Sequence, residues 1–305
     1  MKCIFIYNPN SGNGRLLKKL NYIETQLKTK YDEVVMYPTK SREDTMQTAY
    51  EACNIYDEII FAGGDGTFND VCNSVSKNEV RPPLGYIPCG TANDIAKNLK
   101  ISKNIKKALK VILEGDIVYH DAGMINDKYF MYVIGVGTFT SVSYKTKQRM
   151  KRMFGRVAYA FDGLKHIAHP TAINGKLVID GKEIEFKDSP LVLVLNSKSV
   201  GGIPFNKRGH LNDGQFDVIV VKKFFGYLYS IVRLMLLGTI KGKDHTRCYD
   251  FYRGKDIKIE IDKDVRWTMD GEEGPSGSVE VKNLHYYLRV HANNKSKNFI
   301  KEKNK

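Results

Sequence analysis

Three glycines within five residues, Gly63-Gly64-Asp65-Gly66-Thr67, follow the apolar stretch Ile59-Ile60-Phe61-Ala62 and open a segment of helical patterning at 68–75. A strand that ends in a glycine turn and feeds a helix is half of a βαβ unit. Glycine there lets backbone approach a ligand, and the helix start presents unpaired N–H groups to an anion. For one such loop, a tight turn without a ligand is the plain alternative. Two more follow apolar runs: Asn8-Pro9-Asn10-Ser11-Gly12-Asn13-Gly14-Arg15 after 2–7, and Pro88-Cys89-Gly90-Thr91-Ala92-Asn93-Asp94 after 83–87. With strand patterning also at 33–37 and 58–62, each run followed by a helical stretch, the first part of the chain reads as a parallel α/β sheet. Loops at the C-terminal strand ends of such a sheet share one edge, so the three can converge on a single ligand.

Finer signals agree. Ser41 with Asp44 three residues later resembles a capping box, and Gly115 closes the helical run 105–114. From about Asp121 the pattern turns to strands and hairpins, with Asn126-Asp127 before 129–136 and Asp180-Gly181 between 176–179 and 182–186. Further strands are expected at 191–195, 216–221, 257–261 and 286–290, and helices near 141–152, 156–168 and 226–237. The expected fold class is therefore an α/β N-terminal domain over 1–124, with a parallel sheet and flanking helices. A β-rich, sandwich-like C-terminal domain over 125–292 and a basic tail over 293–305 complete the chain.

Size and composition bound the function. A chain of 305 residues, 42% hydrophobic, can bury two medium cores. Cys3, Cys53, Cys72, Cys89 and Cys248 are scattered, without a Cys-x-x-Cys pair, so neither a disulfide framework nor a zinc site is indicated and a reducing cytoplasm fits. The N-terminal apolar run is too short for a secretory signal. Segment 224–240, interrupted by Gly226, Arg233 and Gly238, falls short of a membrane span, so the chain is expected not to cross a bilayer. A net charge of +14 implies an anionic partner: nucleic acid, a membrane surface or a phosphorylated small molecule. No nucleic-acid reading module is present, which ranks that partner last. The glycine loops match neither a P-loop nor, at Gly135-Val136-Gly137, a dinucleotide fingerprint.

The ordered set Asn8–Arg15, Thr39, Gly63–Asn69, Leu84–Asp94, Asp121-Ala122-Gly123, Leu211–Phe216 and Asp270-Gly271-Glu272 resembles the soluble bacterial diacylglycerol kinases and their lipid-kinase relatives, which include the sphingosine kinases. The resemblance spans nearly the whole chain. It implies that ATP is bound by Asn8, Pro9, Asn10, Ser11, Gly12, Thr39, Gly63, Gly64, Asp65, Gly66, Thr67, Phe68, Asn69, Thr91 and Asp94, between the two domains. Asp65, Asp94 and Asp121 are implied in holding the triphosphate and its Mg²⁺. That matches what phosphoryl transfer needs, namely backbone donors for the phosphates and carboxylates for the metal. A structural Mg²⁺ is implied at His210, Asp213 and Gln215, through one carboxylate and two main-chain carbonyls, with a metal-free turn as the alternative. Glu272 is implied as the general base, with Asp270 and Asp65 as further catalytic residues and the adjacent Glu273 as its competitor. Glutamate at its ordinary pKa of about 4.3 is ionised at neutral pH and can accept an alcohol's proton.

The implied activity is transfer of the γ-phosphate of ATP to a membrane lipid, diacylglycerol foremost, by a cytoplasmic enzyme in transient contact with the membrane. That contact is read at 145–156, where basic residues interleave with Met150, Met153 and Phe154. Segment 224–240 is read rather as a helix packed on the core. A homodimer is compatible with exposed edges in a β-rich half. The rivals are phosphorylation of a soluble nucleotide, since NAD kinases use a similar Gly-Gly-Asp-Gly-Thr loop, and a regulator that binds nucleotide or lipid without transfer.

Overall fold

A computed structural model describes residues 1–10, 14–90, 93–137, 172–200, 206–293 and 299. The expected helices near 141–152 and 156–168, the basic segment 145–156, and almost all of the tail beyond 293 lie outside the described residues, as do Ser11, Gly12 and Thr91. The chain forms two compact units. One comprises residues 1–122, 210–213 and 284–305, and the other residues 123–209 and 214–283.

The first unit is α/β. Strands β1 (Lys2–Tyr7), β2 (Glu33–Pro38), β3 (Glu58–Gly63) and β4 (Leu84–Pro88) form a parallel sheet in the order β2-β1-β3-β4. They are connected by α1 (Leu20–Leu27), α2 (Arg42–Ala52) and α3 (Asp65–Ser76). After β4 come α4 (Asp94–Asn98) and α5 (Ile105–Glu114). Every residue of β3 and β4 is buried, as expected of parallel strands covered on both faces. Ser41 caps α2, its Oγ accepting from the Asp44 amide at 3.1 Å, and Gly115 ends α5. Helix α3 starts at Asp65, three residues before the expected start, so Asp65, Gly66 and Thr67 form its first turn rather than a loop.

A buried ionic knot ties this sheet together. Glu58, 2% exposed, accepts from Lys30 Nζ at 3.0 Å and from the Tyr31 hydroxyl, and lies 2.8 Å from His291 Nε2. Burial pushes the Glu58 carboxyl up, but the hydrogen bonds from His291, Tyr31 and Lys30 outweigh it and hold the pKa below the usual range. A depressed carboxyl contributes stability above its unfolded pKa and loses it as pH falls through the folded value. Glu58→Gln is thus expected to cost about 3 kcal/mol at neutral pH. It should also flatten the loss of stability that the wild type shows in acid, as urea midpoints across that range will report.

The second unit is antiparallel. One sheet runs in the order β12 (Tyr249–Gly254), β11 (Phe216–Val221), β10 (Leu191–Leu195), β7 (Val133–Gly137), β14 (Arg266–Met269) and β15 (Glu272–Ser276). Facing it, β13 (Asp256–Ile261) pairs with β8 (Ile173–Ile179) and with the start of β16 (Val279–Ala292), and β8 pairs with β9 (Lys182–Ser189). Alternate residues of both layers, among them Ile134, Val192, Val194, Val218, Leu177, Ile259 and Val281, fill one core with Trp267. The fold is thus an α/β unit followed by an antiparallel sandwich. Strands β5 (Asp116–Ile125) and β16 each have residues in both units.

Further details depart from expectation. The strand expected over 129–136 is two, β6 (Lys128–Phe130) and β7, because the amides at Met131, Tyr132 and Val133 turn to a side chain, Asp270, instead of a ladder. Residues 272–276, where no strand is expected, form β15. The short strand at 286–290 is the end of the 14-residue β16. The helix α6 (Tyr227–Leu237) forms as expected, but only Ser230, Ile231 and Leu234 are buried, so core packing accounts for one of its faces.

Candidate active site

In the first unit the glycine loops meet. A Cβ placed on Gly90 would lie 2.5 Å from Gly64 Cα, so the two backbones touch at a distance that only glycine allows. Cys89 N donates to Gly63 O at 2.7 Å and the Tyr86 hydroxyl to the same oxygen at 3.1 Å. Asn93, at φ 50° and fully buried, stitches the second loop: its Nδ2 donates to Gly90 O at 2.6 Å, and Gly90 N donates to its Oδ1 at 3.0 Å. Sequence reading overlooked this role of Asn93, although asparagine is one of the few residues that enters the left-handed region readily, and it stands directly before the helix start.

Helix α3 begins on Gly64, which has no side chain to cap it, and Gly66 faces open space. The first-turn amides therefore point out at the edge where β1, β3 and β4 end. Asp65 Oδ1 accepts from Ile95 N at 3.3 Å. Burial raises its carboxyl pKa, opposed by backbone N–H groups at 93–95 and reinforced by the neighbouring Asp94. Two neighbouring carboxylates at these loops suit a divalent cation, although Lys97 already lies 2.8 Å from Asp94. Asn8 folds its own turn, Oδ1 accepting from Asn10 N at 2.8 Å, and Thr39 N donates to Tyr7 O at 2.8 Å across the ends of β1 and β2. Phe68 packs its ring on Phe61 and Tyr86 in the core, and the side-chain oxygen of Asn69 accepts from Asn73.

Asp121 is fully buried. Its Oδ1 accepts from Tyr286 N at 2.8 Å and lies 2.9 Å from His285 Nδ1, and its amide donates to Leu211 O at 2.7 Å. The segment carrying His210 and Asp213 is thus fastened to β5 through Leu211. Gln215 follows Gly214 in the second unit. Among the described residues no three His, Cys, Asp or Glu side chains gather for a metal, so Mg²⁺ there would depend on carbonyl and water oxygens.

In the second unit Asp270 and Gly271, at φ 49° and 84°, form the left-handed turn between β14 and β15. The Asp270 carboxylate accepts from the amides of Met131 at 2.5 Å, Tyr132 at 3.0 Å and Val133 at 2.9 Å. Complete burial pushes its pKa up to about 7 against those three donors. The Tyr132 hydroxyl closes the turn on Asp270 O at 2.9 Å. Glu272 and Glu273 start β15 and point to opposite faces of it. Glu273 is exposed and paired with Arg266, whereas Glu272 is half-buried. A polar cluster that sequence reading did not find lies beside this turn. There Asn196 Nδ2 donates to Met131 O at 3.2 Å, and Asn206 and Arg253 hold the buried Asp217 at 2.5 and 2.8 Å.

A family model for the diacylglycerol kinase catalytic domain matches residues 2–125, and one described as the YegS C-terminal NAD kinase beta sandwich-like domain matches residues 133–292. A Staphylococcus aureus (strain MRSA252) protein named diacylglycerol kinase is 32% identical over 292 residues, covering 95% of this chain and 91% of its own. The chain belongs to the diacylglycerol kinase family. A Staphylococcus saprophyticus protein of the same name is 30% identical over 296 residues, 96% of each chain. A Bacillus anthracis str. Sterne crystal structure of a diacylglycerol kinase carries the same fold, with a TM-score of 0.78 at 24% identity over 96% of this chain and 97% of that one.

Within this family member the first unit gathers Asn8, Pro9, Asn10, Thr39, Gly63, Gly64, Asp65, Gly66, Thr67 and Asp94 at the strand-end edge. Phe68 and Asn69 sit behind it, and only their backbone is available to a ligand there. The second unit brings Asp270 and Glu272 together at one turn.

Proposed function

We propose that this kinase transfers the γ-phosphate of ATP to a lipid hydroxyl, with diacylglycerol as acceptor and phosphatidic acid as product. The observation that carries the reading is the Gly64–Gly90 backbone contact, which opens two strand-end loops and an uncapped helix start onto one edge. Such an edge suits a triphosphate, and the relatives' names supply the acceptor. Residues 1–124 would provide the nucleotide cradle and 125–292 the acceptor's chemistry.

The amides of Asp65, Gly66 and Thr67 donate to phosphate oxygens, and the turns at Asn8–Asn10 and Thr39 bound the nucleotide. Asp65 and Asp94 would hold Mg²⁺, which when bound neutralises phosphate charge. Glu272 removes the proton of the attacking hydroxyl as the new O–P bond forms and the bond between the γ-phosphorus and the β,γ-bridging oxygen breaks, releasing ADP. Asp270 is a positioning residue, since its oxygens are spent on three amides that fix the turn presenting Glu272.

A second reading, phosphorylation of NAD, draws support from the NAD kinase-like description of the second matched region. ADP release measured with diacylglycerol, phosphatidylglycerol, a sphingoid base and NAD in parallel tests both. Diacylglycerol is expected to give the largest kcat/KM, and preference for NAD would replace the lipid reading.

A further inference from the structure

Phe225, Leu228, Tyr229, Val232, Leu236 and Leu237, all on or next to α6, stand in solvent, Phe225 at 83% and Leu236 at 75% exposure. Leu228, Val232 and Leu236 repeat every four residues and form a stripe on the side away from the buried Ser230, Ile231 and Leu234. A contiguous apolar face of this kind on a helix marks an interaction surface. Phe225 takes φ 50°, a strained conformation for an aromatic residue, and its ring packs tilted against Phe224 and edge-on to Tyr229, with centroids 4.4 and 5.9 Å apart.

Beside this face opens a cavity of about 780 Å³ whose charged lining is entirely basic: Lys222, Lys223, Arg233, Lys243, His245 and Arg247. Phe224, in the aromatic cluster, also lines it. Nearby carboxylates are engaged. Asp250 bonds Lys222 at 2.8 Å and His245 at 3.0 Å, Asp188 lies 3.7 Å from Lys223, and Asp244 pairs with Arg208. Among the described residues Arg233, Lys243 and Arg247 have no acidic partner. Among the described residues the buried Nη1 of Arg233 finds no hydrogen-bond acceptor, a group that costs free energy until an acceptor arrives.

We propose that α6 and this cavity form a docking surface for an anionic bilayer, in which the apolar stripe enters the headgroup boundary and a lipid phosphate occupies the basic cavity. The inference deepens the lipid-kinase reading, on which its purpose rests, by naming the surface that meets the membrane. Charge complementarity selects the occupant. An anionic membrane satisfies the unpaired cations while the aromatic and aliphatic side chains bury, whereas a two-fold contact with a second copy would set the basic rim against itself.

The test is co-sedimentation with vesicles of phosphatidylcholine alone or mixed with phosphatidylglycerol. It uses the wild type, Phe225→Ser/Leu236→Ser and Lys243→Gln/Arg247→Gln. These side chains are exposed, so matched melting temperatures will show that the variants fold. The wild type is expected to prefer the anionic vesicles. The charge pair should weaken binding roughly fivefold per residue, and the apolar pair at least about tenfold.

Wild-type indifference to phosphatidylglycerol, or variants that bind as the wild type does, would overturn the surface. So would release by millimolar inorganic phosphate with no dependence on the apolar pair, which marks a soluble phosphate site. A wild-type dimer that the apolar pair makes monomeric, with vesicle binding intact, would overturn it in favour of a second copy. Binding is read without turnover, so α6-dependent docking in a protein that phosphorylates no lipid contradicts the kinase reading alone.

Discussion

Glu272→Ala is expected to lower kcat by a factor of about 10²–10⁴, the range of a general base, while Glu273→Ala remains close to wild type. The two residues are adjacent and chemically identical, so the contrast isolates geometry. Glu273 faces solvent in a pair with Arg266, and Glu272 lies half-buried on the other face of β15, next to a turn fixed by three amides on Asp270. Because Glu272 opens the strand and is outside the core, its loss should leave the melting temperature and ATP affinity nearly unchanged. Steady-state ADP release with a parallel ATP titration separates the two effects.

Gly90→Ala is expected to weaken ATP binding by about ten- to a hundredfold and to destabilise the fold by about 1–3 kcal/mol, as overpacking does. The added methyl would meet Gly64 Cα at 2.5 Å and Asn93 Oδ1 at 2.7 Å. The first neighbour is backbone and cannot swing aside, so the two loops must part and the α3 amides lose their alignment. Gly66→Ala is the companion variant. Its Cβ meets nothing within 4 Å, so any loss of affinity there without a change in melting temperature comes from the space a ligand would fill. Calorimetric titration with ATP and thermal melts of both variants check this.

What could be read from sequence was what neighbouring residues decide. The alternation of β1–β4 with helices, the Ser41 cap, the Gly115 stop and the Asp180-Gly181 hairpin all rest on local pattern and turn chemistry, and all are present. The break between β6 and β7 was invisible because its cause, Asp270, lies 137 residues beyond Val133. Strand β12 escaped because Asp250 and Arg253 interrupt its apolar pattern, although both are held in ion pairs within the sandwich. Helix α6 was recognised but its exposure was not, since an apolar helix has the same sequence whether or not a neighbour covers it. At the site, the glycine loops declared themselves by composition. The Asn93 stitch to Gly90, three residues away, lay within a local window and was overlooked, whereas the Asp65 contact to Ile95 depends on two loops meeting, which no local window contains.

The most direct test of the central claim is to incubate the protein with γ-labelled ATP, Mg²⁺, and diacylglycerol in detergent micelles alongside NAD, and to separate the products. Label in phosphatidic acid, present with the wild type and lost with Glu272→Ala, is the predicted result; label in NADP, or in phosphatidic acid undiminished by Glu272→Ala, would contradict the account.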